Sequence, residues 1–219
     1  RPVKKPFDLN ADYQPDDFAF KDKKKVEDIL GRYPKGKQRS AIMPLLDLAQ
    51  RQVGEEGAKA DPVYGGWIPR AAMDEIANIV GEPAVRVYEV ATFYSMYNMA
   101  PVGKYLVQLC TTTPCWLCGS ADVMKACEKH LGIKAGETTK DGMFTLIEVE
   151  CLGACVNAPM AQINDDYYED LTPDIMTDLI DRLAKGETVT PGPQNGRMCS
   201  APEGGPQALQ SGPAPQVKN

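Results

Sequence analysis

Histidine is almost missing from this 219-residue chain: His130 is the only one. That scarcity excludes sites built on two or more imidazoles, a Rieske-type iron centre among them. Positive charge is also short, with 24 Lys and Arg against 30 Asp and Glu and a net charge of -6. A surface that tracks a nucleic-acid backbone needs the opposite balance. No stretch approaches the roughly 18 uninterrupted apolar residues of a membrane span, and the start lacks the apolar core of a secretory signal. G-x-G-x-x-G does not occur, and Gly31–Lys37 (GRYPKGK) matches G-x-x-x-x-G-K without the Ser or Thr that completes a phosphate loop, so the chain shows no complete nucleotide-binding motif of its own. An opening at Arg1 rather than methionine fits a trimmed or processed chain, as after removal of a targeting segment.

Cysteine, by contrast, is plentiful. Cys110, Cys115, Cys118, Cys127, Cys151, Cys155 and Cys199 make an odd set that cannot pair off completely within one chain. Without a secretory signal, such a set points to metal or redox chemistry rather than a disulfide framework.

Periodicity divides the chain. The first seventeen residues carry Pro2, Pro6 and Pro15 with little pattern, which predicts an extended arm over 1–17. The run Lys21, Lys23, Lys24 and Lys25, diluted by Asp22, Glu27 and Asp28, reads as a solvated helix face. Four apolar stripes then follow at helical spacing. Val26, Ile29, Leu30 and Tyr33 form one that Pro34 closes. Ile42, Leu45, Leu46, Ala49 and Val53 form a second, with Ser40 as its cap, Pro44 in its first turn and Gly54 as its end. Met73, Ile76, Ala77 and Val80 lie between Pro69 and Gly81, and Val87, Val90, Ala91 and Tyr94 follow Pro83. Four amphipathic helices with short connections predict a helical bundle over 18–100. The cluster Phe93, Tyr94, Met96, Tyr97 and Met99 reads as core or subunit-interface packing.

Beyond Pro101 the period changes. Residues 105–109 and 144–149 predict strands, 121–131 and 175–183 helices, and 160–168 a hairpin around Asn164, Asp165 and Asp166. Strand, helix, strand, hairpin and helix over 101–186 describe an α/β sandwich of thioredoxin-like outline. Residues 187–219, rich in Pro and Gly, predict a tail that forms no core of its own.

Both predicted strands end at cysteine. Cys110 leads to Cys115 by a C-x4-C spacing, and Cys151 to Cys155 by the C-x3-C loop CLGAC. Adjacent strands would bring the two loops to one end of the sheet, where four thiolates suit a soft metal centre. Gly153, Ala154 and Gly119 would let backbone N–H groups approach the sulfurs closely. Spacing alone leaves three alternatives open. Four thiolates can hold one zinc ion. Cys110, Cys115 and Cys118 also spell C-x4-C-x2-C, the plant-type ferredoxin spacing. CWLC, from Cys115 to Cys118, at a strand-to-helix junction would serve a dithiol oxidoreductase, though it leaves CLGAC without a role. Cys127 reads as a buried small hydrophobe, Cys199 as a free thiol in the tail, and His130 as a helix-end residue favoured by the macrodipole.

The stretches VYEVATFYSMYNMAPVGKY, CTTTPC and CLGACVNAPM resemble the thioredoxin-like 2Fe-2S ferredoxin family, over about residues 17–186. The likeness is strongest to family members that serve as small iron-sulfur subunits in the NADH-oxidising module of respiratory complex I. It implies an N-terminal helical bundle followed by a thioredoxin-like 2Fe-2S ferredoxin domain. It further implies one 2Fe-2S cluster held by Cys110, Cys115, Cys151 and Cys155, and no catalytic residues of the chain's own. The implied partners are an FMN/NADH-binding subunit, whose reduced flavin exchanges electrons with the cluster, and a neighbouring iron-sulfur subunit. The implied location is the matrix side of the mitochondrial inner membrane, or the cytoplasmic face of a bacterial membrane. Cys118 has no place in the family's ligand pattern.

Overall fold

A computed structural model describes residues 15–202 and 205. Most of the expected N-terminal arm, residues 1–14, and the end of the expected tail lie outside the described residues. The described chain forms two compact units. One comprises residues up to Leu106 together with Gly136–Thr145; the other comprises Val107–Ala135 and the chain from Leu146 onward. The division falls inside two strands, whereas the sequence pattern sets a boundary near residue 100.

The first unit is helical. Its helices are α1 (Lys23–Gly31), α2 (Ile42–Gly57), α3 (Arg70–Val80) and α4 (Ala84–Phe93). Each stripe read from the sequence supplies core: Val26 and Ile29, Leu45 and Leu46, Met73 and Ile76, Val87 and Ala91 are all buried. Asp22 caps α1 by accepting from Lys25 N at 3.0 Å. Gly81, at φ 73°, ends α3 in the left-handed conformation that glycine adopts at least cost.

Two details of α2 differ from expectation. A 3-10 turn, Gln38–Ala41, precedes it, so Ser40 makes no cap, while Pro44 lies in the first turn as expected. The helix also runs through Gly54 to Gly57. Gly54 is there for clearance rather than termination, because a Cβ on it would lie 3.0 Å from Gly66 N. The aromatic and methionine cluster divides. Tyr97 and Met99 are buried, whereas Phe93 and Met96 are exposed. Tyr97 donates its hydroxyl to Met43 O at 2.9 Å, and burial pushes its phenol up to about 12.

The second unit is built on a sheet of order β2-β1-β3-β4-β5. Its strands are β1 (Tyr105–Cys110), β2 (Phe144–Val149), β3 (Ala161–Ile163), β4 (Asp166–Glu169) and β5 (Gly192–Pro193). β3 runs antiparallel to both β1 and β4, and the β3–β4 hairpin turns at Asn164, whose φ of 54° is the left-handed value a tight hairpin demands. Three further helices complete the unit: α5 (Thr113–Leu117), α6 (Ser120–Leu131) and α7 (Pro173–Ala184). Val123 and Cys127 of α6 and Met176, Leu179, Ile180 and Leu183 of α7 are buried, as are Val107, Leu109 and Leu146 of the sheet. His130 stands in the last turn of α6 with Nε2 2.7 Å from Asp181 Oδ1 on α7, a structural tie between the two helices.

The segment after Gly186 behaves differently from the expected free tail. Val189 is buried, and Gly192–Pro193 pairs in parallel with β4. Backbone hydrogen bonding drives this addition, and such pairing leaves no apolar alternation for a sequence reading to find.

The approach to β1 is tight. A Cβ on Gly103 would meet the Phe144 carbonyl carbon at 2.6 Å and Thr145 N at 2.7 Å, and Gly103 N donates to the buried Thr145 hydroxyl at 2.6 Å. We expect Gly103→Ala to destabilise the protein by about 1–3 kcal/mol, since backbone and not a flexible side chain would have to move; chemical denaturation measures the loss.

Candidate metal centre

β1 and β2 each deliver a cysteine at or just beyond their final residue. Cys110 is the last residue of β1, and Cys151 follows two residues after β2. The two segments lie side by side, with Thr111 N donating to Val149 O at 3.4 Å. After Cys110 the chain passes Thr112 into the short helix α5, which carries Cys115 in its middle. After Cys151 it turns at Gly153, φ 93°, into the 3-10 turn Cys155–Asn157.

The first pair of thiols is buried, Cys110 and Cys115 each being 1% exposed. They pack with buried Met160 and with Leu152, Ala154, Ala158 and Tyr167. Leu152 and Ala154 belong to the other cysteine loop, so apolar packing joins the two. The second pair, Cys151 and Cys155, is exposed, with its sulfurs 3.3 Å apart.

Thr112 links the pairs. Its hydroxyl lies 3.2 Å from Cys110 Sγ and also hydrogen-bonds the Cys151 sulfur. Against thiolates the hydroxyl is the donor. The thiol acidities report the same closeness. Burial pushes Cys115 up to about 12, with its hydrogen bond to Cys110 and the charges of Cys110 and Cys155 adding, while the Met160 N–H works the other way. Cys155 is raised chiefly by its hydrogen bond to Cys151, and also by the charges of Cys151 and Cys110. Cys151 is held below the ordinary thiol value, first by Cys155 and then by the Gly153 N–H. Backbone N–H groups thus reach sulfur in both loops, the Gly153 contact being among those expected and the Met160 contact not.

The loops are braced from behind. Tyr167 donates its hydroxyl to Leu152 O at 2.9 Å, and Asp170 N donates to Asn157 O at 2.8 Å. Both braces come from β4 or the corner that follows it, far along the chain from the loops they hold.

The remaining cysteines stand apart. Cys118 is exposed at the C-cap of α5, Cys199 is exposed, and Cys127 is fully buried in α6 with its thiol pushed up by burial to about 12. The two thiols of CWLC differ in setting: Cys115 is buried in the first turn of α5 and Cys118 is exposed at its C-cap.

Among the described residues, no group of three or more His, Cys, Asp or Glu side chains is disposed to hold a metal ion. Four thiolates can hold one zinc ion or the two irons of a 2Fe-2S cluster, and the choice between them comes from the family.

Comparison with known proteins gives the family. The sequence pattern of the thioredoxin-like [2Fe-2S] ferredoxins matches residues 26–184. A subunit of the NADH-quinone oxidoreductase of Rickettsia conorii is 58% identical over 169 residues, covering 76% of this chain and 94% of the relative. The mitochondrial NADH dehydrogenase [ubiquinone] flavoprotein 2 of Dictyostelium discoideum is 47% identical over 211 residues, covering 96% of this chain and 81% of the relative. Among solved structures, an NAD+-reducing [NiFe]-hydrogenase in its H2-reduced state shares the fold with a TM-score of 0.51 at 18% identity. That match covers 64% of this chain and only 23% of the hydrogenase chain. On its family pattern and its close relatives, the chain belongs to the thioredoxin-like [2Fe-2S] ferredoxins and carries a 2Fe-2S cluster for electron transfer.

Proposed function

We propose that this chain is the electron-transfer subunit of an NADH:ubiquinone oxidoreductase of the complex I type, with its cluster held by Cys110, Cys115, Cys151 and Cys155. The observation that carries the reading is the packing of Leu152 and Ala154, from the CLGAC loop, against the buried pair Cys110 and Cys115 at the ends of β1 and β2. When bound, the cluster supplies one-electron acceptance and donation. The chain's residues do the rest. Burial of Cys110 and Cys115 keeps water from one side, and the N–H groups of Met160 and Gly153 and the hydroxyl of Thr112 favour negatively charged sulfur.

The partner is proposed to be the FMN- and NADH-binding subunit, whose reduced flavin exchanges electrons with the cluster, with a further iron-sulfur subunit alongside. The names of the Rickettsia and Dictyostelium relatives support this assembly. The surface does too. Large apolar side chains stand exposed beside the candidate ligands: Trp116 and Leu117 follow Cys115, Val156 follows Cys155, and Met198 is exposed as well. Exposed apolar area of this kind marks a protein-docking surface. No helix among the described residues is long and apolar enough to cross a membrane. The proposed location is the matrix side of the mitochondrial inner membrane, corresponding to the cytoplasmic face in a bacterium, with attachment through neighbouring subunits.

Purified chain should contain two irons and two labile sulfides and give an EPR signal on reduction; a single zinc and a colourless solution would overturn the assignment. Serine at position 110, 115, 151 or 155 should shift or abolish the visible spectrum, while Cys118→Ser, Cys127→Ser and Cys199→Ser should leave it unchanged. Retention of the native spectrum by Cys155→Ser together with its loss in Cys118→Ser would instead favour the plant-type ligand set.

Thr112→Val removes a hydroxyl that donates to sulfur. Because that bond favours the more negative reduced state and is worth about 1 kcal/mol, we expect the reduction potential to fall by about 40 mV in a redox titration. Val156→Asp should keep the cluster spectrum and weaken binding to the flavin-bearing partner about tenfold or more, read by co-purification or calorimetry.

A further inference from the structure

The segment after β5 contains one strongly constrained side chain. Arg197, with its side chain 18% exposed, pairs with Asp170, at 7%, through Nη2 and Oδ1 at 2.8 Å. Its other terminal nitrogen, Nη1, donates to Val156 O and Asn157 Oδ1, both at 3.3 Å. Asn157 is 2% exposed, and its amide donates to the Glu169 carboxylate and to Cys199 O. The guanidinium therefore joins three places that are distant in sequence: the turn Cys155–Asn157, the corner after β4, and residues 195–199.

A tether for the C-terminal segment does not require this chemistry. Burying two charges costs several kcal/mol per ion before their attraction offsets it, and apolar packing of similar volume often serves as well or better. Nor is the pair fully satisfied, since Arg197 Nε and Asp170 Oδ2 are buried without a hydrogen-bond partner among the described residues. An ion pair this incomplete is a poor device for stability alone. What distinguishes it is its aim. One nitrogen takes the carboxylate, and another turns to the carbonyl of the residue directly after Cys155.

We propose that Arg197 is a positioning residue for the cluster: it fixes the turn that bears Cys155 by holding the Val156 carbonyl and the Asn157 side chain, and its charge, set on the residue after that ligand, favours one-electron reduction. The inference rests on the reading that Cys155 is a ligand. In the reduction one electron arrives from the donor, no bond forms or breaks, and no proton is needed. The reduced site carries one more negative charge than the oxidised site, so a fixed cation nearby favours it. Asp170 opposes that cation and sets how much of its field reaches the sulfur.

The test is an EPR-monitored redox titration of the full chain with its cluster reconstituted, comparing wild type with Arg197→Gln, Arg197→Lys and Asp170→Asn. Arg197→Gln should lower the equilibrium constant for reduction at least about threefold, which is about 28 mV at 59 mV per decade for one electron. Asp170→Asn should move the potential the opposite way, and Arg197→Lys, which keeps the charge, should recover at least half of the loss. A structural tether would change cluster retention or unfolding without opposed shifts in potential. The proposal is overturned if Arg197→Gln and Asp170→Asn shift the potential in the same direction or leave it unchanged. Should Arg197→Gln fail to hold a cluster, Asp170→Asn decides, and a potential that does not rise rejects the idea. A native spectrum in Cys155→Ser would sink the ligand reading instead, so the two failures are distinguishable.

Discussion

Aiming two cysteine loops at one end of the sheet, where the proposed four ligands would meet a cluster, is the constraint on which the second unit turns. As thiolates they repel one another, and as neutral thiols they are weak ligands, so the protein must aim them before any metal compensates their charge. Two strand ends do this. Placing Cys110 on the last residue of β1 and Cys151 just past β2 lets the sheet, the most rigid part of the unit, set where each loop begins. The short helix α5 and the 3-10 turn Cys155–Asn157 then return the second sulfur of each pair toward the first.

The two proposed ligand pairs are unequal. Cys110 and Cys115 are packed among apolar side chains, whereas Cys151 and Cys155 face outward. A centre buried on one side is protected from hydrolysis there, and one exposed on the other can come close to an electron donor. Trp116, Leu117 and Val156, next to the proposed ligands in sequence, are exposed apolar side chains. Polar stabilisation of the sulfurs comes from Thr112, Gly153 N–H and Met160 N–H.

The parts that could be read from the sequence were those with local causes. The helical stripes, the strand ends at cysteine, the turn at Asn164 and the spacing of the two pairs each follow from residues within a few positions of one another. Long-range contacts were not legible. Gly54 looks like a helix end because its reason for being glycine, the approach of Gly66, lies twelve positions away. The segment 187–202 looks like a free tail because its ties, the β5 backbone pairing, the lone buried Val189 and the Arg197–Asp170 pair, all reach residues distant in sequence. Thr112 looks like one hydroxyl in a run of three, and only the geometry shows that it stands between sulfurs.

Arg197 extends this lesson, because nothing near it in sequence suggests a role at a metal centre. A Pro- and Gly-rich stretch with low apolar content has little means of anchoring itself by packing. A charge inserted into a polar corner gives it a definite place, at the cost of desolvating that charge. The corner available in this fold is the one where β4 ends, and the same corner braces the CLGAC loop through Asp170 N and Asn157 O. Anchoring the segment and stiffening the exposed ligand pair are therefore one event: whatever orders residues 195–199 also restricts the turn at Cys155, and loss of that order would be felt first at the open side of the centre.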